Sequence, residues 1–215
     1  MVLESGMLQE REGRYELTGP LPPLAIPTTL HDSLMARLDR LATVKALAQL
    51  GATLGREFSS ELLQAVAPWD EETLHQGLQQ LVAAEFLYQQ GLPPQATYRF
   101  KHALIQEAAY QSLLRHTRRQ YHQQIAQVLE AQFPETVAEQ PELLAQHYTA
   151  AGLAGQAVVY WQRAGQQALQ RSANLEAIQH LTTGLALLAT LPETPVRVQQ
   201  ELHLHIALGP ASQSR

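Results

Sequence analysis

The sequence predicts a mostly α protein that carries a small β-hairpin in its first half. Apolar residues recur at helical spacing along most of the chain, beginning with the leucines at positions 30, 34, 38 and 41. Positions 98–101 instead alternate between aromatic and basic side chains, which is typical of a half-buried strand. Helical spacing returns after His102 and continues to about Leu114, with Leu104 and Ile105 on the face expected to be buried. These patterns predict a mixed helix–hairpin unit followed by helices alone.

The composition is that of a globular protein and excludes several functional classes. Of the 215 residues, 45% are hydrophobic and 16% are charged. The net charge of −5 gives no general attraction to nucleic acids or anionic membranes. The absence of cysteine excludes disulfides, thiolate zinc sites and cysteine nucleophiles. No apolar run approaches the ~20 residues that span a bilayer, and positions 1–5 lack signal-peptide features. We therefore expect a cytoplasmic protein without membrane contact.

Residues 1–27 are predicted to form an irregular segment. A helical start over residues 1–10 leads to a turn at Gly13, which indicates a small hairpin ending at Leu17. Four prolines, at positions 20, 22, 23 and 27, then favour an extended connector. Because the segment offers so few core residues, we expect it to pack against another part of a larger protein.

Residues 28–114 carry regular helix boundaries. The predicted elements are an arm helix (28–42), three helices (45–54, 59–66 and 70–85) and two strands (86–88 and 98–101). A threonine pair at 28–29 or Asp32 can cap the arm helix, and Ser59 and Asp70 can cap two of the following helices. Three helices followed by a hairpin is the arrangement of a winged helix, which we expect over residues 43–114.

Residues 115–215 are predicted to be helical throughout. In this region Trp161-x2-Ala164-Gly165-x2-Ala168 precedes Ala177-x3-Leu181-x2-Gly184, which matches the large and small contact residues of tetratricopeptide (TPR) repeats. The small residues let neighbouring helices approach, and the predicted helix over 174–191 is expected to bury Leu175. Another helix begins at Val196 without a predicted partner, and a solenoid needs about three repeats. The sequence therefore predicts a TPR-like α-superhelix that is truncated.

Three motifs together resemble one family of signalling proteins. They are Pro20-Leu21-Pro22…Ile26-Pro27-Thr28-Thr29-Leu30…Arg37-Leu38-Asp39-Arg40-Leu41, then Leu54-Gly55-Arg56-Glu57-Phe58, then Tyr98-Arg99-Phe100-Lys101-His102-Ala103-Leu104-Ile105-Gln106-Glu107. The combination is similar to the region after the nucleotide-binding domain of bacterial STAND-class signalling ATPases, as in cyclase-fused and LuxR-type regulators. The resemblance covers nearly the whole chain. The resemblance implies that residues 1–27 end the ATPase domain and that the arm, a winged helix and TPR-like repeats (115–215) follow.

The resemblance implies ATP or ADP as the nucleotide of the family, but this chain lacks the loop that binds it. No Gly-x4-Gly-Lys-Ser/Thr motif occurs, and Gly51-Ala52-Thr53-Leu54-Gly55-Arg56 does not replace it. Without this loop there is neither a backbone cradle for the phosphates nor a lysine to neutralise them. We therefore expect no cofactor in this chain and no enzymatic activity of its own.

His102 is the candidate nucleotide-sensing residue. In related STAND proteins, such as the apoptosome ATPases and plant resistance proteins, a Met-His-Asp triplet follows the wing, and its histidine contacts the ADP phosphate. Lys101-His102-Ala103 lies at the matching place, with Lys and Ala where the family has Met and Asp. An imidazole can donate a hydrogen bond to an anion. A histidine that only caps the helix or bonds locally is the alternative interpretation.

The second candidate site is a basic cluster formed by Arg115, Arg118 and Arg119. It is interpreted either as a solvated helix junction or as a contact for a phosphate or a protein partner. No metal site is predicted, because His203 and His205 lie two residues apart and point to different helix faces. No catalytic constellation of side chains is found either.

Two functions from different classes remain. The first is a regulatory and protein-interaction segment of a STAND ATPase, whose partner is another protein or the ATPase domain of the same chain. The alternative is a transcription regulator whose winged helix contacts DNA. Residues 57–98 contain no Lys or Arg, and the acidic Asp70, Glu71, Glu72 and Glu85 would face the phosphates. Nucleic-acid binding is therefore disfavoured.

Overall fold

The computed structural model describes residues 8–11, 14–17, 30–41 and 44–213, and these residues are mostly helical with a small three-stranded antiparallel sheet. The strands are β1 (Leu8–Arg11), β2 (Arg14–Leu17), β3 (Glu57–Ser59), β4 (Leu87–Gln90) and β5 (Thr97–Phe100). The helices are α1 (Leu30–Arg40), α2 (Lys45–Leu54), α3 (Ser60–Val66), α4 (Glu71–Ala83), α5 (Ala103–Gln111), α6 (Arg115–Gln132), α7 (Pro134–Glu139), α8 (Pro141–Ala151), α9 (Ala154–Gln170), α10 (Asn174–Leu188) and α11 (Pro195–Gln213).

The three-stranded sheet has the order β3-β5-β4, and both pairings are antiparallel. β4 and β5 form the predicted hairpin, with Leu87 opposite Phe100. β5 ends one residue earlier than predicted, because the chain bends at Lys101 before it enters α5. β3 was not expected from the sequence, since three residues give too little alternation to reveal a strand. It is held by pairing with β5, where Phe58 lies opposite Tyr98 and stacks on its ring at 6.0 Å.

Side-chain caps set the starts of α3 and α4, as predicted. The Oγ of Ser59 accepts a hydrogen bond from the Leu62 amide at 3.1 Å. The Oδ1 of Asp70 accepts one from the Thr73 amide at 2.9 Å. Each cap satisfies an amide in the first turn that no helical carbonyl can reach. The threonine pair predicted to cap α1 lies outside the described residues.

In the second half of the chain, successive helices pack on one another, and close helix approach depends on glycine. A Cβ built on Gly165 of α9 would lie 2.5 Å from the Cγ of Leu181 in α10, so a larger residue would clash. Gly184 of α10 lies similarly against Trp161, where a Cβ would be 3.3 Å from the tryptophan Cβ. The predicted role of small residues in the approach of these two helices is confirmed.

A continuous hydrophobic core joins the sheet-containing part to the helices that follow it. The buried cluster extends along the chain from Leu34 of α1 to Trp161 of α9. Tyr98 and Phe100 in β5 are among its largest enclosed side chains. A hydrogen bond of 2.8 Å from the Gln124 side chain of α6 to the Val66 carbonyl of α3 also crosses between the two parts. The predicted domain boundary at residues 114/115 is therefore not a gap in the core.

Three predictions of burial or packing are wrong. Leu104 is 45% exposed and Leu175 is 82% exposed, although both were expected on buried faces. α5 turns the side of the helix that carries Ile105, Ala108 and Ala109 inward, and α10 buries the side with Ala177 and Leu181. The helix after residue 195 does have a partner, because α11 packs on α10 and fully buries Leu204.

Near the N-terminus one expectation is wrong and one is confirmed. Residues 8–10 form part of β1 rather than the predicted helix, while residues 1–7 lie outside the described residues. The predicted hairpin pairing is confirmed, with Leu8 opposite Leu17 in an antiparallel register.

Candidate functional site

His102 lies at the N-cap position of α5, where the chain leaves β5. Its backbone is extended, with φ −132° and ψ 143°, and its carbonyl accepts the first helical hydrogen bond from Ile105 at 3.0 Å. Its imidazole makes no capping hydrogen bond and is exposed. Among the described residues the ring has no hydrogen-bond partner, so its donors remain available to a ligand.

A cleft of about 440 Å³ opens beside His102. It is formed by one side of α1, by the residues that lead into and begin β4, and by the turn from β5 into α5. Its lining residues are Leu34, Arg37, Glu85, Tyr88, Lys101, His102, Leu104 and Ile105. This volume lies within the range of ~300–1,000 Å³ that small-molecule sites occupy.

Two cations are held in the wall of this cleft. The Arg37 guanidinium donates to the Ala84 carbonyl at 3.1 Å and lies 5.2 Å from the centre of the Phe86 ring. The Lys101 ammonium lies 3.1 Å from the Glu85 carboxylate, and its hydrogen bond and charge lower the pKa of that carboxyl. These contacts place both positive charges on the same cleft as His102.

The arrangement suits an anionic ligand. Arg37 and Lys101 outnumber the single carboxylate of Glu85, and the first turn of α5 contains no acidic residue. The free amides and the dipole at a helix N-terminus also favour negative charge. The sequence motif identified His102, but it did not predict this cleft. Arg37 and Glu85 come from distant parts of the chain, and the packing of α1 on α5, with Arg37 bonded to the Ala84 carbonyl, brings them to His102.

The basic cluster divides into two kinds of side chain. Arg115 and Arg119 are exposed, and their role as partner contacts stays a prediction. Arg118 is half-buried, and its guanidinium reaches the carbonyl of Tyr110 at 3.1 Å and lies 4.3 Å from the ring centre of the same residue. It also approaches the Leu113 carbonyl at 3.4 Å. Arg118 therefore satisfies carbonyls at the C-terminal end of α5, a position that favours cations.

α4 would be the DNA-contacting helix in the alternative function. Its first turn carries Glu71 and Glu72 after the Asp70 cap, and its last turn carries no basic residue. Binding of this helix to a phosphate backbone would require basic side chains that its sequence lacks.

A groove of about 600 Å³ runs along α6, α7, α8 and α9. On its wall the Glu130 carboxylate accepts hydrogen bonds of 2.5 Å from both Tyr148 and Tyr160. These two bonds lower the pKa of Glu130, while burial and the Glu130 contact raise the pKa of Tyr160 to about 12. Arg163 lies over the Tyr160 ring at 4.9 Å. No sequence pattern pointed to this network, because its members come from three helices.

The described residues contain neither a cluster of metal-ligating side chains nor a membrane-spanning helix. No group of three or more His, Asp or Glu side chains in them could hold a metal ion. No helix in this part of the chain is long and apolar enough to cross a membrane.

The comparisons with known proteins give one relative without a known function. Over 178 residues, or 82% of this chain, the sequence is 30% identical to an uncharacterized protein of Rhizobium meliloti (strain 1021). The matched region is 17% of that protein, so the chain spans less than one fifth of its relative's length. No family model matches the chain. No solved structure matches it either.

Proposed function

We propose that this chain is a regulatory and protein-interaction segment of a STAND-type signal-transduction ATPase. A winged-helix unit clamps the ADP-bound state of an ATPase domain, and TPR-like helices receive a protein partner. The observation that carries the proposal is the cationic cleft at His102, because an unpaired imidazole, Arg37, Lys101 and a helix N-terminus together suit a phosphate.

The order of elements supports the two structural parts of the proposal. α2, α3 and α4 followed by a hairpin, with β3 added beside β5, is the arrangement expected of a winged helix. The later helices approach one another through Gly165 and Gly184 of the TPR-like motif. The groove along α6 to α9 offers them a surface large enough for a partner's side chains.

The mechanism in this proposal is a population shift. A phosphate of ADP bound to the ATPase domain enters the cleft and is contacted by His102 and by one or both cations, which favours the closed arrangement. A protein that binds the α6–α9 groove better in the open arrangement shifts the equilibrium toward release. Such a partner changes the populations only by the difference between its affinities for the two arrangements.

ADP binding measured by calorimetry tests the proposal. We expect this chain alone not to bind ADP tightly, because it has no P-loop. A longer version that begins before a P-loop, where the gene encodes one, is expected to bind. In that version His102→Ala should weaken ADP binding about tenfold, the value of one hydrogen bond to a charged group.

His75→Ala is the matched control, because His75 is another exposed histidine and lies on α4, away from the cleft. It should leave ADP affinity unchanged. Tight binding of nucleotide by the short chain, or equal ADP affinity in His102→Ala and the parent protein, would contradict the proposal.

A further inference from the structure

Two buried histidines from different helices meet beneath α5. The Nδ1 atoms of His122 in α6 and His147 in α8 lie 2.8 Å apart. The two side chains are only 8% and 4% exposed. On the other side of its ring, His122 places Nε2 2.8 Å from the hydroxyl of Tyr110 in α5. One chain of hydrogen bonds therefore connects α5, α6 and α8.

The contact between the two Nδ1 atoms is incompatible with protonation of both imidazoles, and burial without a counter-ion disfavours a charge on either one. A contact between two Nδ1 atoms is a hydrogen bond when one nitrogen carries a proton and the other offers a lone pair. If Nδ1 of neutral His122 donates to His147, Nε2 of His122 accepts from the Tyr110 hydroxyl. If His147 donates instead, Nε2 of His122 carries the proton and donates to Tyr110. Addition of a proton to the accepting Nδ1 turns the bond into a repulsive contact between two N–H groups.

Among the described residues, no carboxylate forms an ion pair or a hydrogen bond with either ring. The pair borders a cavity of about 330 Å³, whose walls come from α2, α5, α6 and α8. From α2, residues 52–54 line the cavity together with the following Gly55, and none of these residues titrates. From α8, Leu143 and Gln146 line it beside His147, and they do not titrate either. α5 supplies Gln106, Tyr110 and Glu107, and Glu107 is exposed and bonded to Gln111. In the described residues neither histidine forms an ion pair, and Arg118 adds a positive charge one turn before His122.

Burial opposes protonation of both rings. It lowers the pKa of His122 to about 4, with a smaller contribution from the Arg118 charge. Burial likewise lowers the pKa of His147 to about 3, with a contribution from His122. Once exposed, either histidine would regain a pKa near 6.5.

We propose that Tyr110, His122 and His147 form an acid-released latch that holds α8 against α5 and α6 and opens at mildly acidic pH. The sign follows from proton binding: below pH 6.5 the opened form takes up protons that the closed form excludes. The latch therefore contributes its full stability above about pH 7, and this contribution falls as the pH drops from 6.5 toward the closed-state pKa values of about 4 and 3. This inference is independent of the proposed role of the His102 cleft.

Hydrogen–deuterium exchange on the whole chain at pH 7.5 and pH 5.5 tests the latch. After correction for the intrinsic exchange rate, we expect protection of α8 and the facing part of α6 to fall about tenfold for each histidine released. Protection in α4, which does not border the cavity, should change much less. Unchanged protection of α8, or an equal loss in every helix, would overturn the proposal.

A non-titrating pair gives the matched test. The double variant His122→Asn/His147→Asn offers neutral amides near the positions of the two Nδ1 atoms, so its α8 protection should lose the pH dependence between 7.5 and 5.5. His116→Asn, at an exposed histidine of the same helix α6, should keep the parent response. A pH response of the double variant equal to that of the parent contradicts the latch.

Imidazole nitrogen NMR of the unmodified chain provides a readout even if the double variant does not fold. At pH 7.5 both rings should be neutral, and one Nδ1 proton should be shared with the other ring. Ordinary titration of both rings near pH 6.5 in the folded state would overturn the proposal, because the closed form would then tolerate the charge.

Discussion

Gly165 is the most closely packed glycine of the described residues after position 115. A Cβ at this position would lie 2.5 Å from Cγ and 2.6 Å from Cδ2 of Leu181, a buried leucine that cannot move away without disturbing its neighbours. The close packing of α9 on α10 thus depends on one missing methyl group.

We expect Gly165→Ala to destabilise the protein by about 1–3 kcal/mol, the usual cost of overpacking. Gly155→Ala is the control in the same helix, because its Cβ would meet no atom within 4 Å. That change should stabilise by up to about 1 kcal/mol, since alanine is the better helix former. Urea unfolding of both variants measures the difference, and equal effects of the two substitutions would contradict the packing argument.

Glu130 and His122 both have a lowered pKa, but their surroundings favour the charged form of Glu130 and the neutral form of His122. Two tyrosine hydroxyls stabilise the charged form of Glu130 and lower its pKa. Burial without a carboxylate partner stabilises the neutral form of His122 and lowers the pKa of its imidazole. Because both pKa values are lowered, both groups contribute stability that is lost as the pH falls: His122 begins to lose it below pH 6.5, and Glu130 only below about pH 4.5.

At the scale of elements, the junction between α5 and α6 depends on Arg118. Its guanidinium contacts three carbonyls at the end of α5, those of Tyr110, Gln111 and Leu113. It also lies over the Tyr110 ring, whose hydroxyl is 2.8 Å from Nε2 of His122. The sequence placed Arg118 with two other arginines, but its contacts differ from theirs.

We expect Arg118→Ala to destabilise the chain by about 1–3 kcal/mol, because carbonyls at a helix end lose a charged donor. Arg115 is the exposed first residue of α6, at the same junction. Arg115→Ala should therefore change stability by less than about 0.5 kcal/mol. Thermal unfolding of the two variants at pH 7.5 makes the comparison. Equal stability of Arg118→Ala and the parent chain would show that the observed contacts do not support the junction.

At the scale of the whole molecule, the continuous core predicts cooperative unfolding across residues 114/115. Buried residues from α1 through α9 belong to one cluster, and α6 also packs on α2 and α3. The chain has two tryptophans. Trp69 lies between α3 and α4 in the sheet-containing part, and Trp161 lies in α9, so each reports on one of the two halves.

In Trp161→Phe the fluorescence of Trp69 should therefore report the same urea midpoint at pH 7.5 as far-UV circular dichroism does. In Trp69→Phe the fluorescence of Trp161 should likewise agree with circular dichroism. Each comparison is made within one variant, so a change in stability caused by the substitution does not affect it. Two resolved midpoints within one variant would mean that the halves unfold independently despite their shared core.

Local interactions explain which parts of this structure the sequence determines by itself. The caps at Ser59 and Asp70 and the bounds of α2 depend on residues within one helical turn of each other. The position of Gly165 in its motif likewise predicted a close helix approach. His102 could be singled out because a short local motif surrounds it. Its place at the start of α5 follows from the hydrophobic pattern, which alternates every second residue before position 102 and follows helical spacing after it.

The remaining features depend on residues that only the tertiary structure brings together. β3 is held by its pairing with β5, where Phe58 lies opposite Tyr98. The cleft at His102 is formed because α1 packs on α5. His122 and His147 are separated by 25 residues on different helices, so no spacing rule joins them. Exposure of Leu104 and Leu175 was also decided at this level, because an amphipathic pattern shows that a helix has an apolar side but not how its neighbours cover that side.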